Sequence, residues 1–528
     1  MKVKPTAESK KVQHYLQLGK GKTVLASFGE CHQTKLGGAP LLLQLELNQG
    51  LAKGAAECLR DWRLPWQVRY SLLQLLWQRV LLICCGYEDV NDLVLLAHDV
   101  GLQLSALLGE DGERAGLASQ ATGCRFENNM GAFNCYRLAM WLVFDYIRRK
   151  RKAPKSIRLD LDGTCIPTYG QQQGSSFRAH YETEMLFPLM VFDEDGVLIT
   201  AILRPGWYCE AKMTVAVLKR LVAAFRSAWS EVAILVVMDA GFNDPAIYDW
   251  CEDHDVHYLL KLKNYGGSGS GLCSKSKDLA KVCKESFGRR FGAARYLAIK
   301  APGKKKKGKT KTEVEKEIRQ IVDKKKRKEA WEEYGKRTAR RYGQFLHRTG
   351  KGGKDKKQWR QDRLVLVECI YDDWGPRSTF WVTNLPDETP DYLINEVYSR
   401  RGNAELRIQD AKDFRCDKLS CQSFIANQFR LLMHVLAQRL MYEFRKLLPL
   451  SAQTMKLETV REQFIRIPAI VETKSRETRL LWSSSFPLKN CMHALCARLT
   501  QSQKTIRDWL SKFSQFTKPL IIRAPRVA

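Results

Sequence analysis

The hydrophobic pattern changes period partway along the chain. Over residues 71–109, SLLQLLWQRVLLICCGYEDVNDLVLLAHDVGLQLSALLG, apolar positions recur at three and four, the period of helices packed by one face. The GYEDVND break supplies acidic caps at Asp89 and Asp92. LASQATGCRFENN at 117–129 reads as a turn followed by a helix with Arg125 exposed. A DNA-reading helix-turn-helix and a plain bundle fit this region equally, because periodicity does not separate them. From residue 157 the period falls to two. IRLDLD at 157–162 alternates, so Asp160 and Asp162 share one face of a strand. Apolar runs at 185–192 and 197–203 flank the hairpin signal DEDG. A helix over 211–229 precedes AILVVM at 233–238, an unbroken apolar run ending in Asp239. That is the pattern of a buried central strand delivering a polar group at its carboxyl end. A helix at 245–253 and a strand at 257–262 follow.

Strand, strand, strand, helix, strand, helix, strand is the order of a ribonuclease-H-like core. In such a core an acid on the first strand, an acid ending the fourth and an acid on a later helix meet at one edge. Asp162, Asp239 and Glu405 occupy those places, with Asp160 as an alternative to Asp162. Glu405 lies in YSRRGNAELRIQDAK at 398–412. Steps of three, four and seven residues separate Tyr398, Arg401, Glu405 and Lys412. On one α-helix all four would fall within about 60° of one another. Gly402-Asn403 also reads as a helix stop followed by an N-cap, which would put Glu405 in a new first turn. A carboxylate beside two cations and a phenol suits a metal ligand next to a phosphate clamp. Three acids at close quarters repel unless cations neutralise them, which implies two Mg²⁺ ions about 4 Å apart, with Mn²⁺ able to substitute.

Between the second and third acids the composition shifts. GGSGSG at 266–271 reads as a flexible joint. Residues 301–360 hold 23 Lys/Arg against 8 Asp/Glu, about half of the chain's net charge of +30. This is the pattern of a solvated or disordered segment and of a DNA-backbone arm. DRLVLVECIY at 362–371 and STFWVT at 378–383 read as two strands of a β-rich insertion. Trp374 and Trp381 would stack on an unpaired base or pack in the core. An amphipathic helix at 424–447 carries His434 as a core histidine, and the tail holds a strand from 464 and a helix at 491–499. The expected fold is α/β: a ribonuclease-H-like catalytic core with a β-rich insertion before the last catalytic helix, plus an N-terminal helical domain. Its divisions are a DNA-binding domain at 1–150, core at 151–265 and 390–450, basic insertion at 266–389, and a dimerisation or DNA-contact region at 451–528.

The charge favours a polyanionic partner, nucleic acid ahead of a membrane surface. The most apolar run, 72–85, is interrupted by Gln74, Gln78 and Arg79, and the N-terminus lacks a signal-peptide pattern, so a soluble intracellular protein is expected. Sixteen cysteines include no CxxC pair. Cys251 with His254, and Cys491 with His493 and Cys496, fall short of a zinc pattern, so the cysteines read as reduced core residues.

These motifs resemble the bacterial insertion-sequence transposases of the DDE class, in the branch marked by Tyr-x2-Arg-x3-Glu-x6-Lys. Tyr398, Arg401, Glu405 and Lys412 complete that signature, and GYEDVND, LASQATGCRFEN, LDLDGT, AHYETEMLFP, DAGF and ANQFRLLMHVL extend the likeness over residues 70–450. The resemblance implies that Asp162, Asp239 and Glu405 are catalytic metal ligands and that Tyr398, Arg401 and Lys412 contact DNA phosphates. It implies a cut-and-paste transposase that binds terminal inverted repeats as a homodimer on double-stranded DNA, both element ends and target. It also implies a cytoplasmic, nucleoid-associated location. The long basic insert departs from the family pattern. Two rivals share the motifs: a transposase-derived DNA-binding protein that no longer cuts, and a ribonuclease-H-like host nuclease indifferent to specific ends.

Overall fold

Alternation in SIRLDLDG produces the strand on which the rest of its unit is built, β1 (Ser156–Gly163), with Ile157, Leu159 and Leu161 fully buried on one face. The chain is described by a computed structural model for residues 13–16, 24–27, 32–106, 116–150, 152–263, 271–292, 311–349, 358–473 and 477–513. The side chains of 13–16, 24–27, 271, 311–313, 333–336, 402–406 and 502–513 lie outside that description. It divides into two units, one of Glu57–Asp61 with Arg125–Arg439, the other of Met1–Ala56, Trp62–Cys124 and Leu440–Ala528.

In the first unit β1 belongs to an eight-stranded mixed sheet. The other strands are β2 (Leu189–Asp193), β3 (Leu198–Ile202), β4 (Ala233–Met238), β5 (His257–Lys261), β6 (Ala339–His347), β7 (Arg363–Asp372) and β8 (Gly375–Thr383). The spatial order is β6-β7-β8-β5-β4-β1-β2-β3. β4 runs parallel to β1 and β5, and every other pair is antiparallel. The central parallel strand β4 is the continuous apolar run AILVVM, as covering on both faces demands, whereas its parallel neighbour β1 alternates.

Helices α1 (Ala132–Arg149), α2 (Thr214–Ala228), α3 (Pro245–Asp253) and α4 (Lys277–Phe291) supply one core layer. Val143, Leu218, Phe225, Tyr248 and Phe287 pack there with Leu159, Val236 and Leu260 of the sheet. The period of two sends Val237 and Leu259 to the other face, where they meet Leu366, Trp381, Leu393 and Ile394. That second face receives the segment 393–413, which ends in α5 (Gly402–Asp413). It is followed by the long α6 (Phe424–Lys446). Arg439 of α6 is buried and ties the helix to α1 and β3 through Leu142 O, Leu198 O and Ile199 O.

Three features differ from the sequence reading. The apolar run at 185–192 is split at Phe187-Pro188. Thr183–Leu186 joins a small sheet with Ile166–Pro167 and Ser176–Arg178, and β2 begins only at Leu189. Proline, lacking an N–H, divides the two pairings. The strands of the 362–383 region extend the core sheet itself, because β8 pairs with β5. The basic segment is partly structured. It contributes helices Lys311–Gln320 and Lys324–Lys336 and the edge strand β6, and Val314 and Ile318 pack on Trp374. Of the glycine-serine joint at 266–271 only Gly271 is described, at the start of the helix Gly271–Lys275, and residues 264–270, 293–310 and 350–357 lie outside the described residues.

In the second unit Leu72–Cys84 opens on a reciprocal cap: Ser71 accepts from Gln74 N, and the Gln74 side chain accepts from Ser71 N. Asp89 caps the turn Val90–Asp92, and Asp99 caps Val100–Leu104. Helix Ala39–Gln49 packs with Lys489–Phe513, Asn48 donating to Leu499 O at 2.7 Å. The tail strand starts at Ala469, past Pro468, because Phe464 and Ile465 are wound into the helical turn Arg461–Ile465. Among the described residues no helix is long and apolar enough to cross a membrane, and the described cysteines form no disulfide with one another.

Candidate active site

Asp162 leaves β1 on the face opposite the main core, and Asp239 follows directly on β4. The parallel register pairs Met238 with Leu161, so Asp239 continues it abreast of Asp162. Neighbouring strands lie about 4.8 Å apart, so two carboxyl-bearing residues stand side by side at one sheet edge. The Asp239 carboxylate accepts from Gly241 N at 2.8 Å, capping the turn Ala240–Phe242 and fixing its own direction. Both residues are half-buried.

The segment 393–413 crosses this edge with a changing helical pitch. Leu393–Tyr398 is wound as a π-helix, Ser399–Arg401 as a 3₁₀ turn and Gly402–Asp413 as α-helix. The break falls at Arg401-Gly402, where the glycine weakens helix continuity, and Arg401 rather than Asn403 holds the N-cap position. The irregular turns set Tyr398 and Arg401 against the acids. Arg401 pairs with Asp162 at 3.1 Å, with side chains only 12% and 13% exposed. Burial pulls its guanidinium down, and the neighbouring Asp162, Tyr398 and Asp239 push it up on balance. The Tyr398 phenol is pushed up to about 12 by burial, Arg401 opposing and Asp239 and Asp162 adding. Near neutral pH it is therefore a hydrogen-bond donor. Trp381 of β8 packs edge-on against the Tyr398 ring at 5.6 Å and, like Trp374, is buried.

Asp160, two residues before Asp162 on the same face, has a different setting. It is completely buried, and its Oδ2 takes Arg158 at 2.9 Å and Arg407 at 3.0 Å. Lys412 lies at the far end of α5. Its ammonium lowers the Cys165 thiol, three residues beyond Asp162, against the burial that raises it. Glu405 sits on α5 one turn after Arg401, and its side chain lies outside the described residues. Asp162, Asp239, Tyr398 and Arg401 thus converge, and Lys412 approaches from the C-terminal end of the same helix. His434 is a buried core histidine, bonded to Phe414 O through Nδ1 at 2.9 Å. Arg158, Arg407 and Trp381 are the supports that residue patterns do not reveal.

The donors at this edge are carboxylate oxygens, the ligand class of Mg²⁺ and Mn²⁺. Among the described side chains no three His, Cys, Asp or Glu close into a metal-holding group. The two described acids therefore fit part of a divalent-cation site, and Glu405 lies one turn past Arg401 on the helix that follows it.

A family profile described as transposase DDE domain group 1 matches residues 16–285 and 309–504. The chain belongs to the DDE transposase family. The match takes in the strands bearing Asp162 and Asp239 and the helix bearing Glu405. No curated protein matches this transposase. Among solved structures, a piggyBac transposase synaptic complex with hairpin DNA aligns at 8% identity over 94% of this chain and 85% of that one, with a TM-score of 0.34. A likeness that low has no bearing on the fold of the transposase described here.

Proposed function

We propose that this DDE transposase is a cut-and-paste enzyme of the Tyr-x2-Arg-x3-Glu-x6-Lys branch, with Asp162, Asp239 and Glu405 as its catalytic acids. It binds the terminal inverted repeats of a bacterial insertion sequence as a homodimer on double-stranded DNA. The observation that carries this reading is the abreast placement of Asp162 and Asp239, with Arg401 and Tyr398 laid over them from the segment that also bears Glu405. The strand order β3-β2-β1-β4-β5 inside the larger sheet supports a ribonuclease-H-like core.

Asp162, Asp239 and Glu405 would hold two Mg²⁺ ions. When bound, such ions lower the pKa of the attacking water or 3′-hydroxyl and compensate charge at the leaving oxygen. The protein's own part is positioning. Asp162 and Asp239 sit on rigid strand ends, so their geometry does not depend on loop order. Arg401 offers a fork to phosphate oxygens beside Asp162, and the protonated Tyr398 donates to the same phosphate. Lys412 meets the backbone further along the strand. Asp160 is already engaged by two arginines, which favours Asp162 as the ligand.

The test uses linear DNA carrying a repeat end, with Mg²⁺. Asp162→Ala, Asp239→Ala and Glu405→Ala should each lower cleavage on the order of a thousandfold or more while end binding stays within about twofold of the parent. Full cleavage by any of the three removes that residue from the site. Scrambled repeat ends separate a transposase, which should stop cutting, from a host nuclease, which should not. Tight binding without nicking by the unmutated protein would mark a DNA-binding descendant.

A further inference from the structure

Asp160 lies under the site and touches no solvent, yet its Oδ2 is shared by two guanidiniums arriving from different elements. Arg158, on the same strand, also donates to Val397 O at 3.3 Å, at the start of the segment that carries Tyr398 and Arg401. Arg407 comes from α5, two residues past Glu405. Besides Asp160 it donates to Asp193 O at 2.8 Å and Glu194 O at 2.6 Å, in the turn between β2 and β3. That turn is shaped for it. Gly196 has φ +85°, and a Cβ there would come within 2.8 Å of Arg407 Nε. One arginine thus ties the helix of the third acid to the strand of the first acid and to the neighbouring hairpin.

We propose that Arg407, with Asp160 as its anchor, is a positioning residue that sets the Glu405 helix against the strand bearing Asp162. The inference rests on the catalytic reading above. A guanidinium with three partners in fixed directions defines both the distance and the rotation of α5 about its axis. An alkylammonium cannot do this, because it reaches Asp160 or the carbonyls but does not span them. The two conditions on Glu405, reach and rotation, are those that decide whether it joins Asp162 and Asp239.

The experiment compares Arg407→Ala, Arg407→Lys and the parent on repeat-end DNA. Four quantities are followed: the cleavage rate, the Mg²⁺ concentration giving half-maximal cleavage, the affinity for ends, and hydrogen exchange of the Gly402–Asp413 amides in the metal-free protein. Arg407→Ala should cut about ten- to a hundredfold more slowly. It should need several-fold more Mg²⁺, exchange faster along α5, and bind ends like the parent. Arg407→Lys should be intermediate in all three affected readouts. A variant that is merely less folded loses active fraction without moving the Mg²⁺ midpoint, and that result would overturn the proposal. Parent-like exchange and Mg²⁺ midpoint in Arg407→Ala would overturn it too. Should Arg407→Ala fail to fold, Arg407→Lys decides by the same readouts. Asp162→Ala is the control for the reading beneath. If it still cuts, the catalytic assignment fails; if it is dead while Arg407→Ala is unimpaired, only the clamp fails.

Discussion

Asp160 and Asp162 share a strand and a face, and two residues of chain separate a sealed ion cluster from a half-open carboxylate at the sheet edge. Their common face is legible in the alternation of IRLDLD; their different fates are not, because Arg407 is 247 residues from Asp160. Spacing alone picks out Tyr398, but its support by Trp381 depends on strand pairing that brings β8 under the segment. Its phenol, held near 12, keeps its proton through the working range. Tyr398→Phe should leave the fold intact and weaken binding of a pre-cut end about tenfold relative to uncut DNA, the worth of one charge-assisted hydrogen bond. Equal affinities for cut and uncut ends in parent and variant would remove Tyr398 from the phosphate contacts. Asp145 makes a second prediction, for stability. Burial pushes its carboxyl up, but Arg149 and Arg439 more than offset this, leaving it at about 2. The folded value lies below the unfolded one, so the stabilisation is present above about pH 4 and fades as pH falls towards 2. It amounts to about 2 kcal/mol. Urea midpoints for Asp145→Asn and the parent should therefore differ most at neutral pH, still differ at pH 3, and converge only as pH falls to about 2.

Among elements, the strands with uninterrupted apolar runs are readable, since burial on both faces leaves no room for polar residues. β6 is not: in ARRYGQFLH its edge position tolerates stretches that look solvated, and the flanking lysines hide its alternation. The split of 185–192 is hidden because hydrophobicity persists through Phe187-Pro188 although the pairing changes partner there. Helix packing in the same unit carries a further prediction. Arg430 of α6 and Glu127 of the helix Gln120–Asn128 are each about 2% exposed and 3.7 Å apart, with Phe126 and Phe429 edge-to-face at 5.4 Å beside them. Removing one partner strands a buried charge, so Arg430→Ala should cost about 3–5 kcal/mol, read as a lower urea midpoint. Pairing Glu127→Gln with Arg430→Met should recover most of that loss. If the double variant is no better than Arg430→Ala, the charges act through other partners.

Across the whole chain the excess of +30 is unevenly placed, and residues 301–360 hold about half of it. Within that segment Lys324, Lys325, Lys326, Arg327 and Lys328 form the first turn and a half of the helix Lys324–Lys336, after the cap Asp323. Cations there face the positive end of the helix dipole, at a cost of about 0.3–1 kcal/mol each at low ionic strength. Lys324, Lys325, Lys326 and Lys328 are exposed, and the Lys328–Glu332 pair, at 4.0 Å between exposed groups, offers little in return. A polyanion laid across the helix start would reverse that sign, because phosphates match both the side chains and the positive end of the helix dipole. Replacing Lys324, Lys325 and Lys326 by Gln should therefore move two quantities in opposite directions. The free protein should be unchanged or slightly more stable to heat. Its affinity for DNA should fall, and the slope of log K against log salt should flatten by about 0.9 for each phosphate no longer neutralised, up to about 2.7. The weakening should be the same for repeat-end and unrelated duplexes, since bonds to the sugar-phosphate backbone carry no sequence information. An unchanged salt slope would place the DNA path elsewhere, and a less stable free protein would mean that these lysines serve the fold.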